Sequence, residues 1–286
     1  MSLHFIKLRK YWYIISLVII LPGLISLALQ GLNKGIDFTG GNIIEINYDK
    51  PVAVEKIREA VVSQNLKASH TVQKIGETGY LIRTSQLTQD QNGKLLEALN
   101  KLGKSKLRYE SVGPTIGREL TQKALVALII TSVLMIIYIT VRFEFKQGLA
   151  AIIALLHDVL VVTGIFSLFR IEIDSAFIAA ILTIIGYSIN DTIIIFDRIR
   201  ENMHRRQKGE NIEDIANRSI WQTLPRSINT VLTVIFVLVA MYFLGGSTIK
   251  TFILAMLIGV VSGAYSSICN ASPLWTDLKR LEKKSR

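Results

Sequence analysis

The sequence predicts a membrane protein: six transmembrane α-helices, with one extracytoplasmic α+β domain, ferredoxin-like in element order, inserted between helices 1 and 2. Three observations predict it. Half of the 286 residues are hydrophobic and 19% are charged, with a mean hydropathy of +0.40, a balance that sets ordinary soluble domains aside. Six apolar runs reach the roughly 17 to 25 residues that a helix needs to cross a bilayer. Between the first two runs, residues 30–122 alternate short strand-like and helix-like patterns.

The six runs are residues 11–29, 124–141, 149–169, 176–196, 228–244 and 251–268. The first has a basic start and a small-residue end, as a secretory signal does. Its apolar part exceeds the roughly 7 to 15 residues of a signal core, so it reads as a span. Lys and Arg then set the orientation. Three precede the first run, two follow the second, seven follow the fourth and five lie in the tail, whereas the two short opposite loops hold only Arg170 and Lys250. By the positive-inside rule both termini face the cytoplasm. The expected domains are residues 1–29 (amino terminus and first helix), 30–122 (outer domain), 123–270 (helices 2 to 6) and 271–286 (basic cytoplasmic tail).

The outer domain opens with GIDFTGG, residues 35–41, whose glycines suit a tight turn leading into a strand. Ile44, Ile46 and Tyr48 alternate as in a half-buried strand, and Val54, Ile57 and Val61 follow at helical spacing. Apolar runs on either side of Gly76-Glu77-Thr78-Gly79 read as a hairpin. A helix carrying Leu95, Leu96, Leu99 and Leu102 and a last strand near residues 107–112 complete the order β-α-β-β-α-β, which is that of a ferredoxin-like domain.

The fourth run carries Asp191 several residues before its end. A carboxylate at that depth costs roughly 2.5 to 3.5 kcal/mol on insertion scales, so such a residue faces protein or water. At helical spacing Thr183, Tyr187, Asn190 and Asp191 share a face. An ion or proton site fits this stripe, and so does a polar pair that fixes helix packing. Candidate partners lie on neighbouring runs. His157 and Asp158 sit mid-way along the third, beside the small residues Ala150, Ala151 and Ala154. The fifth begins at Leu224-Pro225-Arg226-Ser227, and Arg226, Asn229, Thr230 and Thr233 repeat as a second polar stripe. Arg226 has the reach to approach Asp191 if the two helices are neighbours, or it snorkels to the interface. The sixth offers Gly259-x3-Gly263, with Ser262 and Ser266, as a close-packing face.

Other chemistries fit less well. The net charge of +11 is placed at the ends of apolar runs, so it orients the chain and nucleic acid is not an expected partner. Ala98-x4-Gly103-Lys104-Ser105 imitates a phosphate-binding loop, but a helix precedes it and a strand follows, the reverse of what such a loop requires. His4, His70 and His204 form no ligand-spaced cluster with His157, so no metal site is expected. The lone Cys269 reads as a small packing residue. Gly186-Tyr187-Ser188-Ile189-Asn190 lacks the final glycine of a nucleophile elbow, so a serine hydrolase using Ser188 and His157 is disfavoured and no enzyme activity is expected.

GIDFTGG after the first span, Val112-Gly113-Pro114-Thr115-Ile116-Gly117 before the second, Leu156-His157-Asp158-Val159 in the third, and Ile185-Gly186-Tyr187-Ser188-Ile189-Asn190-Asp191-Thr192 followed by Phe196-Asp197-Arg198-Ile199-Arg200-Glu201-Asn202 in the fourth resemble the SecD/SecF family of protein-export membrane proteins. The resemblance runs along nearly the whole chain, in order. It implies a six-span subunit of the bacterial Sec system, related to the resistance-nodulation-division transporters, that pairs with SecD and uses the proton-motive force to help preproteins finish crossing. It also implies the SecYEG translocon, SecA, YajC, the translocating preprotein and membrane lipid as partners. No cofactor is implied beyond the coupling ion, a proton, with sodium left open. By the same resemblance Asp191 matches the family's membrane-embedded, proton-carrying Asp and Arg226 its Arg partner, while Tyr187, Asn190 and Asp158 are the further candidates for a proton pathway. The alternative is half of a proton-driven small-molecule or lipid exporter of the same superfamily. Such pumps carry a much larger outer domain.

Overall fold

The computed structural model describes residues 3–63, 70–112, 114–142, 144–246 and 249–285. It divides into two compact units, one of residues 34–125 and one of residues 1–33 with 126–286.

Strand β1 (Asn33–Lys34) spans the boundary, and the smaller unit continues with helix α2 (Ile36–Thr39) and then the element order β-α-β-β-α-β. Strands β2 (Gly41–Tyr48), β3 (His70–Ile75), β4 (Gly79–Thr84) and β5 (Ser105–Val112) form one sheet in the order β3-β4-β2-β5, with every neighbouring pair antiparallel. Alternation decides the register: Ile44 stands between Ile82 and Tyr109, and Ile46 between Tyr80 and Leu107. The faces so aligned bury Ile44, Ile46, Tyr48, Tyr80 and Ile82 together with Ile57 and Val61 of α3 (Val54–Val62) and Leu95 and Leu99 of α4 (Gln89–Asn100). Thr88 and Gln91 cap the start of α4 reciprocally. The GIDFTGG stretch departs from the expected simple turn. Its centre winds into the single helical turn α2, closed by Gly40 (φ +74°), whose N–H donates to the Ile36 carbonyl at 2.8 Å. Gly41 then starts β2 so close to β4 that a Cβ there would lie 2.6 Å from the Thr84 carbonyl oxygen.

The larger unit contains α1 (Arg9–Gln30), most of α5 (Pro114–Arg142), α6 (Phe145–Leu168), α7 (Ser175–His204), α8 (Ile212–Leu244) and α9 (Lys250–Ser266), which runs through a π-helical turn (Ser267–Ala271) into α10 (Ser272–Ser285). The two-residue strand β6 (Glu172–Ile173) precedes α7. Six of these helices are long and apolar enough to cross a membrane. They expose large side chains such as Leu17, Val18, Ile130, Phe236 and Phe243, which suits contact with lipid or with other helices rather than water. Close approach comes from small residues. Gly23 of α1 meets Gly164 of α6, where a Cβ on Gly23 would fall 2.6 Å from the Gly164 Cα. On α9, Gly259 and Gly263 face Ile184 and Ser188 of α7.

Two boundaries differ from the sequence expectation. Helix α8 starts at Ile212, capped by the Asn211 side chain, and passes through Pro225 instead of beginning beside it. A proline costs a helix one hydrogen bond, but burial of Ile212, Ile215, Ala216, Ser219 and Ile220 keeps the preceding turns helical. The expected basic tail is α10, whose Trp275 and Thr276 are buried. Ion pairs join Arg9 to Glu213 and Asp277, both at 3.0 Å, and Arg280 to Glu213 at 2.8 Å. The start of α1, the start of α8 and α10 therefore gather at one end of the helical unit.

Candidate functional site

Asp191 lies on α7, with 6% of its surface exposed. Its Oδ1 accepts a hydrogen bond from Ser227 Oγ of α8 at 2.6 Å. Its Oδ2 is buried and has no hydrogen-bond partner among the described residues. One helical turn earlier, the Tyr187 hydroxyl is likewise buried and has no hydrogen-bond partner among the described residues. An unsatisfied buried oxygen costs on the order of 1 to 3 kcal/mol, more if charged, so the site is arranged at the expense of stability.

The expected stripe on α7 splits. Asp191 turns inward, whereas Asn190 and Thr183 are exposed, the latter bonded to its own helix at the Ala179 carbonyl. On α8 the expected polar stripe also points outward: Arg226, Asn229, Thr230 and Thr233 are all exposed. The face turned toward α7 is Ser219, Thr223 and Ser227, buried residues spaced four apart. The hydrogen bond to Asp191 thus comes from Ser227, and among the described residues Arg226 makes no ion pair with Asp191. Short hydroxyl side chains let two helices approach closely and satisfy polar atoms there, and a guanidinium is too bulky for that seam. Arg226 instead lines a cleft of about 330 Å³ with Asp197, Arg198, Glu201 and Gln222. The signal for Ser227 was present as the spacing Ser219-x3-Thr223-x3-Ser227.

Asp158, on α6, is fully buried, and its hydrogen bonds among the described residues go to residues other than Asp191. Ser188 of α7 donates to its Oδ2 at 2.6 Å, and Ser262 and Ser266 of α9 donate at 2.6 and 2.7 Å. His157 Nδ1 lies 3.0 Å from Oδ1. The carboxylate, not the imidazole, is thus the partner of Ser188, which is not the order that a nucleophilic serine needs. Among the described residues no group of His, Cys, Asp and Glu has the arrangement of a metal site, and Cys269 is buried.

The chain matches the family model described as protein export membrane protein SecD/SecF, C-terminal, over residues 91–281, and the SecD/SecF GG motif over residues 25–52. It is 46% identical over 291 residues to the protein translocase subunit SecF of Thermobaculum terrenum, covering 94% of this chain and 92% of that protein. It is 40% identical to the protein translocase subunit SecDF of Bacillus subtilis, covering 98% of this chain and 38% of that protein. The crystal structure of SecDF, a translocon-associated membrane protein, from Thermus thermophilus superposes with a TM-score of 0.87 at 33% identity, over 100% of this chain and 39% of that one. With both family models matched in order and a curated relative aligned almost end to end, the chain belongs to the SecD/SecF family of protein export membrane proteins.

Proposed function

We propose that the chain is an auxiliary subunit of the bacterial Sec preprotein translocase that, paired with SecD, uses the proton-motive force to promote export across the cytoplasmic membrane. The single observation that carries the proton step is Asp191: a carboxylate buried within a spanning helix, with one oxygen held by Ser227 and the other without a hydrogen-bond partner among the described residues. Protonation at Oδ2 neutralises the group and changes what α7 presents to α8. The Arg226 cleft supplies a polar approach to α7 from one end, and Tyr187 and Asn190 extend it along the helix. An elementary charge crossing the membrane is worth about 2.3 kcal/mol per 100 mV. That is enough to shift the populations of two conformations a few kcal/mol apart.

Pairing with SecD is supported by the SecDF relatives, in which matching sequence is part of a longer chain, and by the exposed polar residues on α7 and α8. The smaller unit acts as the extracytoplasmic, ferredoxin-like domain that meets the preprotein. Its strand order, with the first strand central beside the last, suits that fold. The gathering of Arg9, Arg280 and the start of α8 at one end, with the count of Lys and Arg beside the spans, supports cytoplasmic termini. SecYEG, SecA and YajC are the further partners of this reading, and the coupling ion is a proton.

The test is Asp191→Asn, which keeps the volume and removes the titration. We expect normal insertion and association with SecD, and loss of proton-motive-force-dependent preprotein uptake into vesicles. Full uptake by this variant would refute a proton step at Asp191.

A further inference from the structure

Asp158 and Asp191 are two buried carboxylates in one helical unit with opposite surroundings. Among the described residues Asp191 has one donor and an unpartnered oxygen. Asp158 has Ser188 and Ser266 on Oδ2, and Ser262 and His157 on Oδ1, all within 3.0 Å. A carboxylate offers about four acceptor positions, so those of Asp158 are filled. The donors come from three helices, α6, α7 and α9. Ser188 stands three residues before Asp191, about 4.5 Å along the axis. One residue beyond Asp191, Thr192 meets Ser267 of the π-helical turn, with their hydroxyl oxygens 2.7 Å apart. Single π-helical turns inside α-helices mark functional positions more often than chance. The seam is set by glycine: a Cβ on Gly263 would lie 3.0 Å from the Ser188 Cβ.

We propose that Asp158 is a positioning residue: its carboxylate clamps Ser188, Ser262 and Ser266, holds α7 against α6 and α9, and thereby sets where Asp191 stands, without itself exchanging the coupling proton. This rests on the reading of Asp191 as the proton-exchanging group. On the elements packed against α6, the ionisable side chains are Tyr187, Asp191 and the charged residues of the 197–204 end on α7, Lys250 and Tyr265 on α9, Cys269 in the π-helical turn, Arg9, Lys10, Tyr11 and Tyr13 on α1, and the charges of α10 around Asp277. None of them bonds to Asp158 among the described residues. The Tyr265 hydroxyl donates to the Trp12 carbonyl at 2.7 Å, and the Tyr13 hydroxyl to Asp277 at 3.2 Å.

The experiment is labelling by dicyclohexylcarbodiimide, which attacks protonated carboxyls in apolar surroundings. It is run on the full chain with its native partners in membrane vesicles across a pH series, with the labelled residue identified by mass spectrometry. In the wild type we expect label on Asp191 that falls as pH rises and none on Asp158, and in Asp191→Asn we again expect none on Asp158. Ser188→Ala, and separately Ser262→Ala with Ser266→Ala, should move the midpoint of Asp191 labelling by about half a pH unit or more, ~3-fold in proton affinity. These serine variants leave Asp158 in place, so the test stands even where Asp158→Asn fails to accumulate. Label on Asp158, or an unmoved Asp191 midpoint in both serine variants, overturns the clamp alone. An Asp191 that takes no label at any pH overturns the proton reading and the clamp with it.

Discussion

Ser227 of α8 gives its hydroxyl to Asp191 of α7 across 2.6 Å, while Arg226, its neighbour in sequence, turns out into the cleft beside Asp197 and Glu201. The carboxylate is thus tied to the next helix by a short neutral side chain, and the nearest guanidinium acts from a distance. Under the proposed proton step this arrangement leaves neither charge state locked by a direct ion pair.

A double-mutant cycle separates the two neighbours. Ser227→Ala combined with Asp191→Asn should be non-additive in thermal stability, with an interaction energy of about 0.5 to 3 kcal/mol, as expected for residues in contact. Arg226→Met with Asp191→Asn should couple more weakly than the Ser227 pair, because the guanidinium acts on the carboxylate without a direct hydrogen bond. Non-additivity in the Arg226 cycle alone would show that the guanidinium is the true partner of the carboxylate. Arg226→Met should still impair gradient-dependent export, since it removes the cation that lines the cleft.

Glycine substitutions should report where helices touch. Gly164→Ala places a Cβ 2.9 Å from the Gly23 Cα, and backbone cannot move aside cheaply, so a loss of about 1 to 3 kcal/mol is expected. Gly93→Ala lies in α4 with nothing within 4 Å of the new atom. It should stabilise by about 0.5 to 1 kcal/mol through helix propensity. Thermal unfolding of the purified chain measures both, and equal effects from the two would show that α1 and α6 are not in backbone contact.

Alkaline titration tests the core of the smaller unit. Burial, with Tyr80 nearby as the lesser cause, pushes the Tyr48 phenol from 10.0 up to about 12. The fold holds the neutral form, whose hydroxyl donates to the Leu99 carbonyl at 2.9 Å. The folded value lies above the unfolded one. The stabilisation is therefore whole below pH 10.0 and is lost as pH rises toward about 12. The difference in phenolate absorbance between wild type and Tyr48→Phe should titrate near the upper value. A difference centred on the ordinary value would mean that Tyr48 is open to water.

Orientation is tested by labelling. In a Cys269→Ala background, cysteine at Glu77 should react with an impermeant maleimide added outside spheroplasts, and cysteine at Glu210 should not. The reverse pattern would contradict the placement argued from Lys and Arg.

The sequence by itself determined which segments can cross a bilayer, because lipid demands unbroken apolar runs, and it determined the strand pattern of Ile44, Ile46 and Tyr48, because pleating alternates side chains. It also marked Asp191 and Asp158 as carboxylates too deep to be idle. Only the tertiary structure decided which stripe of α8 faces α7, and that Ser219, Thr223 and Ser227 fill the seam while Arg226, Asn229, Thr230 and Thr233 face outward. It alone carried α8 through Pro225, wound residues 36–39 into a helical turn, and closed three serines around Asp158. The physical reason is that apolar periodicity does not fix the rotation of a helix in lipid, where tails and neighbouring helices are equally apolar. The choice falls to close packing and to hydrogen bonds whose partners lie as far apart in sequence as Asp158 and Ser266.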